Sequence, residues 1–148
     1  MSEPDAGPIS AIALVRDDGR ALLQLRDPDP AITHPDMWVF PGGHAGPDED
    51  ALACARRELA EETAYDADDL VHLGEIRDPE EVARGPVSLF LARYDGRQEV
   101  ECREGADMRW VSRTEAGALD VPRFLLDAWD DLVVPYIFPA ADRLEAKS

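Results

Sequence analysis

The chain is poor in cysteine: Cys54 and Cys102 lie far apart and form no C-x-x-C pair. That leaves neither a disulfide framework nor a thiolate metal site, and it fits a reducing compartment. Positive charge is scarce as well. Fifteen Lys and Arg stand against 32 Asp and Glu, a formal net charge of −17. A field of that sign repels duplex nucleic acid and anionic membrane surfaces, so neither is an expected partner. An anionic small molecule remains compatible, because a metal ion can bridge like-charged groups locally. No apolar run approaches the roughly 20 residues of a membrane span. Met1 to Asp5 carries neither a basic segment nor an apolar one, so no secretory signal is read and a cytoplasmic location is expected. Repeats and low-complexity linkers are missing, and 148 residues suit a single domain with its own core. Residues 1–8 read as a loose start and 139–148 as a polar C-terminal tail.

What is present is an alternation of short apolar runs and turn residues. Ile9–Val15 and Ala21–Leu25, across Asp17-Asp18-Gly19, predict a β-hairpin. Residues 27–36 hold three prolines, so they predict a loop, and one long enough to be functional. Met37–Phe40 reads as a brief strand stopped by Pro41-Gly42-Gly43. A helical pattern runs from Asp48, the expected N-cap, to Thr63, with Leu52, Ala55 and Leu59 within about 60° on the wheel. Further strands are expected over Val71–Ile76 and Val87–Tyr94, and weaker ones over Val100–Cys102 and Met108–Val111. Helices are expected over Thr114–Leu119 and Pro122–Val133, and Trp110, Phe124 and Trp129 read as core. The mixture predicts the α+β class or an α/β/α sandwich.

The informative segment is Arg57-Glu58-Leu59-Ala60-Glu61-Glu62. On a helix, Glu58 and Glu62 are i and i+4 and project about 40° apart; Glu61 lies about 60° to the other side of Glu58. Like charges at this spacing repel by roughly 0.2–0.5 kcal/mol per pair, and the helix C-terminus disfavours anions further. A divalent cation reverses the sign of both terms, since hard cations take carboxylate oxygens. From the triplet alone a solvated acidic face is the commoner outcome. His34, His44 and His72 are not spaced as a metal site.

The residues upstream extend the pattern. Gly43-x5-Glu49-x7-Arg57-Glu58-Leu59-x-Glu61-Glu62-x-Ala64-Tyr65 resembles the Nudix box of the Nudix hydrolases, and Trp38-Val39-Phe40-Pro41-Gly42-Gly43 is similar to the lead-in of that family. Arg109-Trp110-Val111 extends the likeness more weakly. One position departs: Ala64 stands where the family has Gly, a residue that usually supplies the left-handed turn after a helix. Ala there is expected to cost about 1 kcal/mol without touching the acids.

The resemblance implies an α/β/α sandwich around a mixed sheet and Mg²⁺-dependent (or Mn²⁺-dependent) hydrolysis of a phosphoanhydride bond in a nucleoside diphosphate derivative. A nucleoside triphosphate, a nucleotide-sugar and an ADP-ribose-like compound all remain open. The alternative is a catalytically silent Nudix-fold nucleotide sensor. It further implies metal ligands at Glu58, Glu61, Glu62 and the Gly42 carbonyl, with Glu104 as an additional acid. Glu61 or Glu58 would be the general base, and Glu104 an outside candidate. Glu49 and Arg57 would orient the ligands. Arg26, Trp38, Gly43 and His44 are the candidates for substrate contact, Trp38 by stacking on a base, although it reads equally as core of its short strand. Asp78-Pro79-Glu80 reads as a turn. The apolar stretch from Trp129 to Phe138 would pack on a second copy, as a homodimer, or on its own core.

Overall fold

The computed structural model describes residues 8–80 and 85–137. In chain order the elements are β1 (Ile9–Val15), β2 (Ala21–Leu25), β3 (Trp38–Val39), β4 (Gly42–His44), α1 (Ala51–Thr63), β5 (Val71–Ile76), β6 (Val87–Arg93), β7 (Asp107–Val111), α2 (Arg113–Ala116) and α3 (Arg123–Ala128). α3 runs through a π-helical turn, Trp129–Val133, into α4 (Val134–Ile137).

Strand β1 is buried almost throughout, as a near-continuous apolar run must be when both faces of a sheet are covered. On one edge it pairs parallel with β6, from Ile9–Val87 to Val15–Arg93. On the other, its hairpin partner β2 holds it only at Val15–Ala21. Beyond that point the two strands separate, and the chain from β3 to β4 fills the gap. β3 pairs with β2, β4 pairs with β1, and the Ile12 N–H donates to the Pro41 carbonyl at 2.8 Å. With β5 on β6 and β7 on β2, the described residues form one mixed seven-stranded sheet.

Alternation along the central strands divides the core in two. Ala11, Ala13, Val15, Leu89 and Leu91 face Leu125, Ala128, Trp129 and Val133. Ile12, Leu14, Phe90 and Ala92 face Ala55 and Leu59 of α1. The architecture is thus the expected α/β/α sandwich. Trp129 and Val133 lie in this chain's own core, while Phe138 is outside the described residues. So are the loose start and the polar tail, except Pro8, whose carbonyl accepts the Ala45 N–H. Among the described residues no helix is long and apolar enough to cross a membrane.

Several expectations require correction. Gly42–His44 is a strand, not a stop, because β1 offers it an open edge. Asp50, not Asp48, caps α1: its side chain accepts the Ala53 N–H at 2.8 Å, while Asp48 sits at φ 64 in the preceding turn. Leu52 is 50% exposed; the buried face of α1 is Cys54, Ala55, Leu59, Glu62 and Thr63. Val100–Cys102 forms no strand. The Glu101 and Arg103 N–H groups instead donate to the Thr63 and Glu62 carbonyls, which the end of a helix leaves without intrahelical partners. The helix expected to Leu119 stops at Ala116, and Pro122 caps α3 rather than opening it. Ala64 does adopt the left-handed conformation, at φ 70.

Candidate active site

The site is built where α1 crosses β4. Two glycines make the crossing possible. A Cβ at Gly42 would lie 2.1 Å from the Ser10 carbonyl oxygen, so only glycine lets β4 close on β1. A Cβ at Gly43 would lie 2.6 Å from Glu58 Cδ, so the Glu58 carboxyl rests directly on the strand backbone.

Next to it Glu62 is 3% exposed, and its Oε1 accepts the Gly42 N–H at 3.2 Å. Burial, joined by the adjacent Glu58 carboxyl and by the charge of Glu104, pushes Glu62 up to about 9. In the metal-free protein it therefore holds a proton at neutral pH.

Arg57 organises the other acids. Its Nε and Nη2 grip both oxygens of Glu49 at 2.8 and 2.9 Å. Its Nη1 donates to Glu58 at 3.0 Å and to Glu61 at 3.1 Å, and Nη2 also reaches the His44 carbonyl at 3.1 Å. The Arg57 pairing, with the Gly46 N–H, draws Glu49 down to about 2, while Glu49 in turn raises Arg57 above its ordinary value. Glu61 is the open member, its side chain 57% exposed. Among the described residues no three acidic, His or Cys side chains converge closely enough to form a finished metal cage. The set present is the buried Glu62 against the half-buried Glu58, with Glu61 held toward Arg57.

Two adjoining cavities open beside Gly42. The smaller, about 170 Å³, is walled by Glu62, Glu104, Gly42, Arg26 and Gln24. The larger, about 370 Å³, is mostly apolar and shares Arg26, Ile32 and Gly42 with it. Glu104 reaches this wall because its loop is tied to the end of α1 through Arg103 and to β2 through the Gln24 side chain, which donates to the Glu104 carbonyl at 3.0 Å.

The family model of the NUDIX domain matches residues 7–136. The chain belongs to the Nudix hydrolase family. A curated relative, the CMP-5'-(N-acetyl-N-hydroxy-3-aminopropyl)phosphonate hydrolase of Streptomyces rubellomurinus, is 30% identical over 116 residues, which are 76% of this chain. The chain spans about half, 55%, of that relative's length. Among solved structures, the MutT protein of Methanosarcina mazei superposes with a TM-score of 0.67 at 20% identity, over 99% of this chain and 100% of that one. The Nudix domain of Shewanella oneidensis NrtR, solved with ADP ribose, also gives 0.67 at 20% identity, over 96% and 90%. At that identity these two show the fold alone. Nudix hydrolases generally use divalent metal ions.

Within this Nudix domain, the box residues Glu49, Arg57, Glu58, Glu61 and Glu62 meet around β4, and Gly43, His44 and Arg26 line the larger cavity. Trp38 does not. It is 7% exposed, its N–H donates to the Asp120 carbonyl, and the Arg109 guanidinium lies 4.9 Å from the ring centre. It lines neither cavity, so of its two readings the packing one fits the structure and the base-stacking one does not. Two residues of the larger cavity that sequence reasoning passed over are His34 and Asp78. Neither lies near the box, and only the folded chain brings them together.

Proposed function

We propose that this chain hydrolyses a phosphoanhydride bond in a nucleoside diphosphate derivative, using Mg²⁺, with Mn²⁺ as a substitute. The observation that carries this reading is the buried Glu62 carboxyl, set against the half-buried Glu58 and facing a cavity that also holds Glu104. A buried acid packed against a second carboxyl opposes folding unless a proton or a cation offsets it. The donors are all hard oxygens, the set that Mg²⁺ takes. Glu58, Glu61, Glu62 and the Gly42 carbonyl would hold the ion, with Glu104 lining the same small cavity as Glu62. When bound, such an ion supplies positive charge against the diphosphate oxygens.

The chain's own residues do the rest. Arg57 hydrogen-bonds Glu49, Glu58 and Glu61 and so orients the acids. Glu61, the most solvent-open of them, takes the proton of the attacking water, with Glu58 as the other candidate base. Arg26 stands at the junction of the cavities, its Nε held by the Thr33 carbonyl, and its remaining N–H groups suit a phosphate. Gly43 and His44 form the wall beside it.

The Streptomyces relative is named for a CMP-linked phosphonate, which supports a nucleoside monophosphate joined to a second phosphorus acid as the substrate class. A Mg²⁺ hydrolysis screen over nucleoside triphosphates, nucleotide-sugars, ADP-ribose, dinucleotides and CMP-phosphonates tests the activity. Glu61→Gln should lower turnover at least about 10²-fold with the fold retained, the scale of a lost charge-stabilising group. Turnover within a few-fold of the parent would overturn the assignment of Glu61.

A further inference from the structure

The larger cavity carries a side-chain pair that the carboxylate site does not use. His34 belongs to the loop between β2 and β3, and Asp78 follows β5. His34 Nε2 meets Asp78 Oδ2, with each side chain only 10% exposed. The other oxygen, Asp78 Oδ1, accepts the Glu80 N–H at 2.9 Å. His34 is held at φ 50, a costly conformation for a residue with a Cβ. The loop is braced around it: Arg26 Nε donates to the Thr33 carbonyl, and the Asp36 N–H donates to the Asp27 carbonyl. The imidazole leans on Phe124, ring centres 5.8 Å apart. The surrounding wall includes Ile32, Phe40 and Val87. A mostly apolar cavity of about 370 Å³ with a few fixed polar groups has the character of a small-molecule site.

The pairing sets the chemistry of the exposed ring edge. An ionised carboxylate only accepts, so when the ring carries a single proton that proton sits on Nε2, and Nδ1 is left as an acceptor. Nδ1 has no hydrogen-bond partner among the described residues, and it is the polar atom the ring still has to offer the cavity. We propose that His34, oriented by Asp78, reads the base of the bound nucleotide by accepting a hydrogen bond from an exocyclic amino group. The cavity then prefers cytosine over uracil and adenine over hypoxanthine. The inference rests on the nucleotide reading above. His34 is the specificity residue, and Asp78 is a positioning residue that acts through it.

The test is equilibrium binding of CMP, UMP, AMP and IMP to the full chain with Mg²⁺ at pH 8, by calorimetry, with no turnover required. The parent should bind CMP over UMP, and AMP over IMP, by about 10-fold or more, the scale of one hydrogen bond to a desolvated partner. His34→Leu should remove both preferences. Asp78→Asn should reverse them. The amide oxygen stays on the Glu80 N–H, the NH₂ turns to Nε2, and the ring proton moves to Nδ1, which then donates to the carbonyl of uracil or hypoxanthine. A merely structural Asp78 would weaken all four ligands without reversing anything. Equal binding within each pair by the parent, or an amino preference kept by either variant, overturns the proposal. If Asp78→Asn does not fold, His34→Leu decides alone. Hydrolysis in the screen without base preference in binding defeats only the His34 assignment. Failure of all four nucleotides to bind defeats it together with the nucleotide reading.

Discussion

Glu62→Gln should make the metal-free protein more stable while abolishing its activity. The glutamate is 3% exposed, accepts one backbone N–H from Gly42, and faces the carboxyls of Glu58 and Glu104. Burial first, then these neighbours, raises it to about 9. The folded state therefore binds this proton more tightly than the unfolded chain. The associated stability is fully present below the ordinary carboxylate value of 4.5 and is lost as pH rises toward about 9. Within that window one such proton changes stability by up to about 1.4 kcal/mol per pH unit. Glutamine keeps the shape and the Gly42 hydrogen bond, stays neutral, and has no such slope. Between pH 5.5 and 7.5 the parent should thus lose up to about 2.7 kcal/mol relative to the variant. For a domain of this size that is roughly 5–10 °C in Tm. The assay is denaturation in EDTA across that pH range. Added Mg²⁺ should flatten the slope of the parent and leave the variant unmoved, because a cation then replaces the proton. Parallel stability–pH curves for the two proteins in EDTA would refute the buried-acid argument.

Three other outcomes follow from the same geometry. Ala64 occupies a left-handed position at φ 70, so Ala64→Gly should stabilise by about 1 kcal/mol, seen as a Tm rise of roughly 2–4 °C. At Gly43 a Cβ would meet Glu58 Cδ at 2.6 Å, the far end of a movable side chain. Gly43→Ala should therefore leave Tm nearly unchanged but raise the Mg²⁺ concentration for half-maximal activity about 10–100-fold. Glu49 is drawn down to about 2 by Arg57, so its contribution is present above pH 4.5 and lost as pH falls through about 2. Glu49→Gln should melt below the parent at pH 7, and the gap should close over that acid range.

The parts of the fold open to sequence reading were those decided by local burial. β1, β2 and β6 are apolar runs inside the sheet, β5 is the strand at its edge on β6, and the ends of all four fall within a residue of the runs. The misread parts depend on partners far along the chain. Gly42–His44 looks like a break, since glycine weakens an isolated strand, yet β1 leaves an edge that only glycines can approach. Val100 to Cys102 has strand-like residues, but its N–H groups are taken by the open end of α1. On α1 the buried arc centres near Ala55 and takes in Glu62, so Leu52, about 60° away and in the first turn, projects past the sheet.

The same division explains the site. Glu58, Glu61 and Glu62 share one helical turn, so their proximity follows from 3.6 residues per turn and is legible from the spacing. That Glu62 would be the buried one was not, because burial depends on where β4 lies beneath the helix, and Gly42 supplies both the space and the N–H. His34 and Asp78 are 44 residues apart. Taken singly, a histidine in a proline-rich loop and an aspartate before a proline are ordinary turn residues. They become a pair because β5 returns antiparallel to β6 and delivers residue 78 to the end of the sheet beside the 27–36 loop. An imidazole whose tautomer is set by a buried carboxylate is a property of that return, and no local pattern at either residue encodes it.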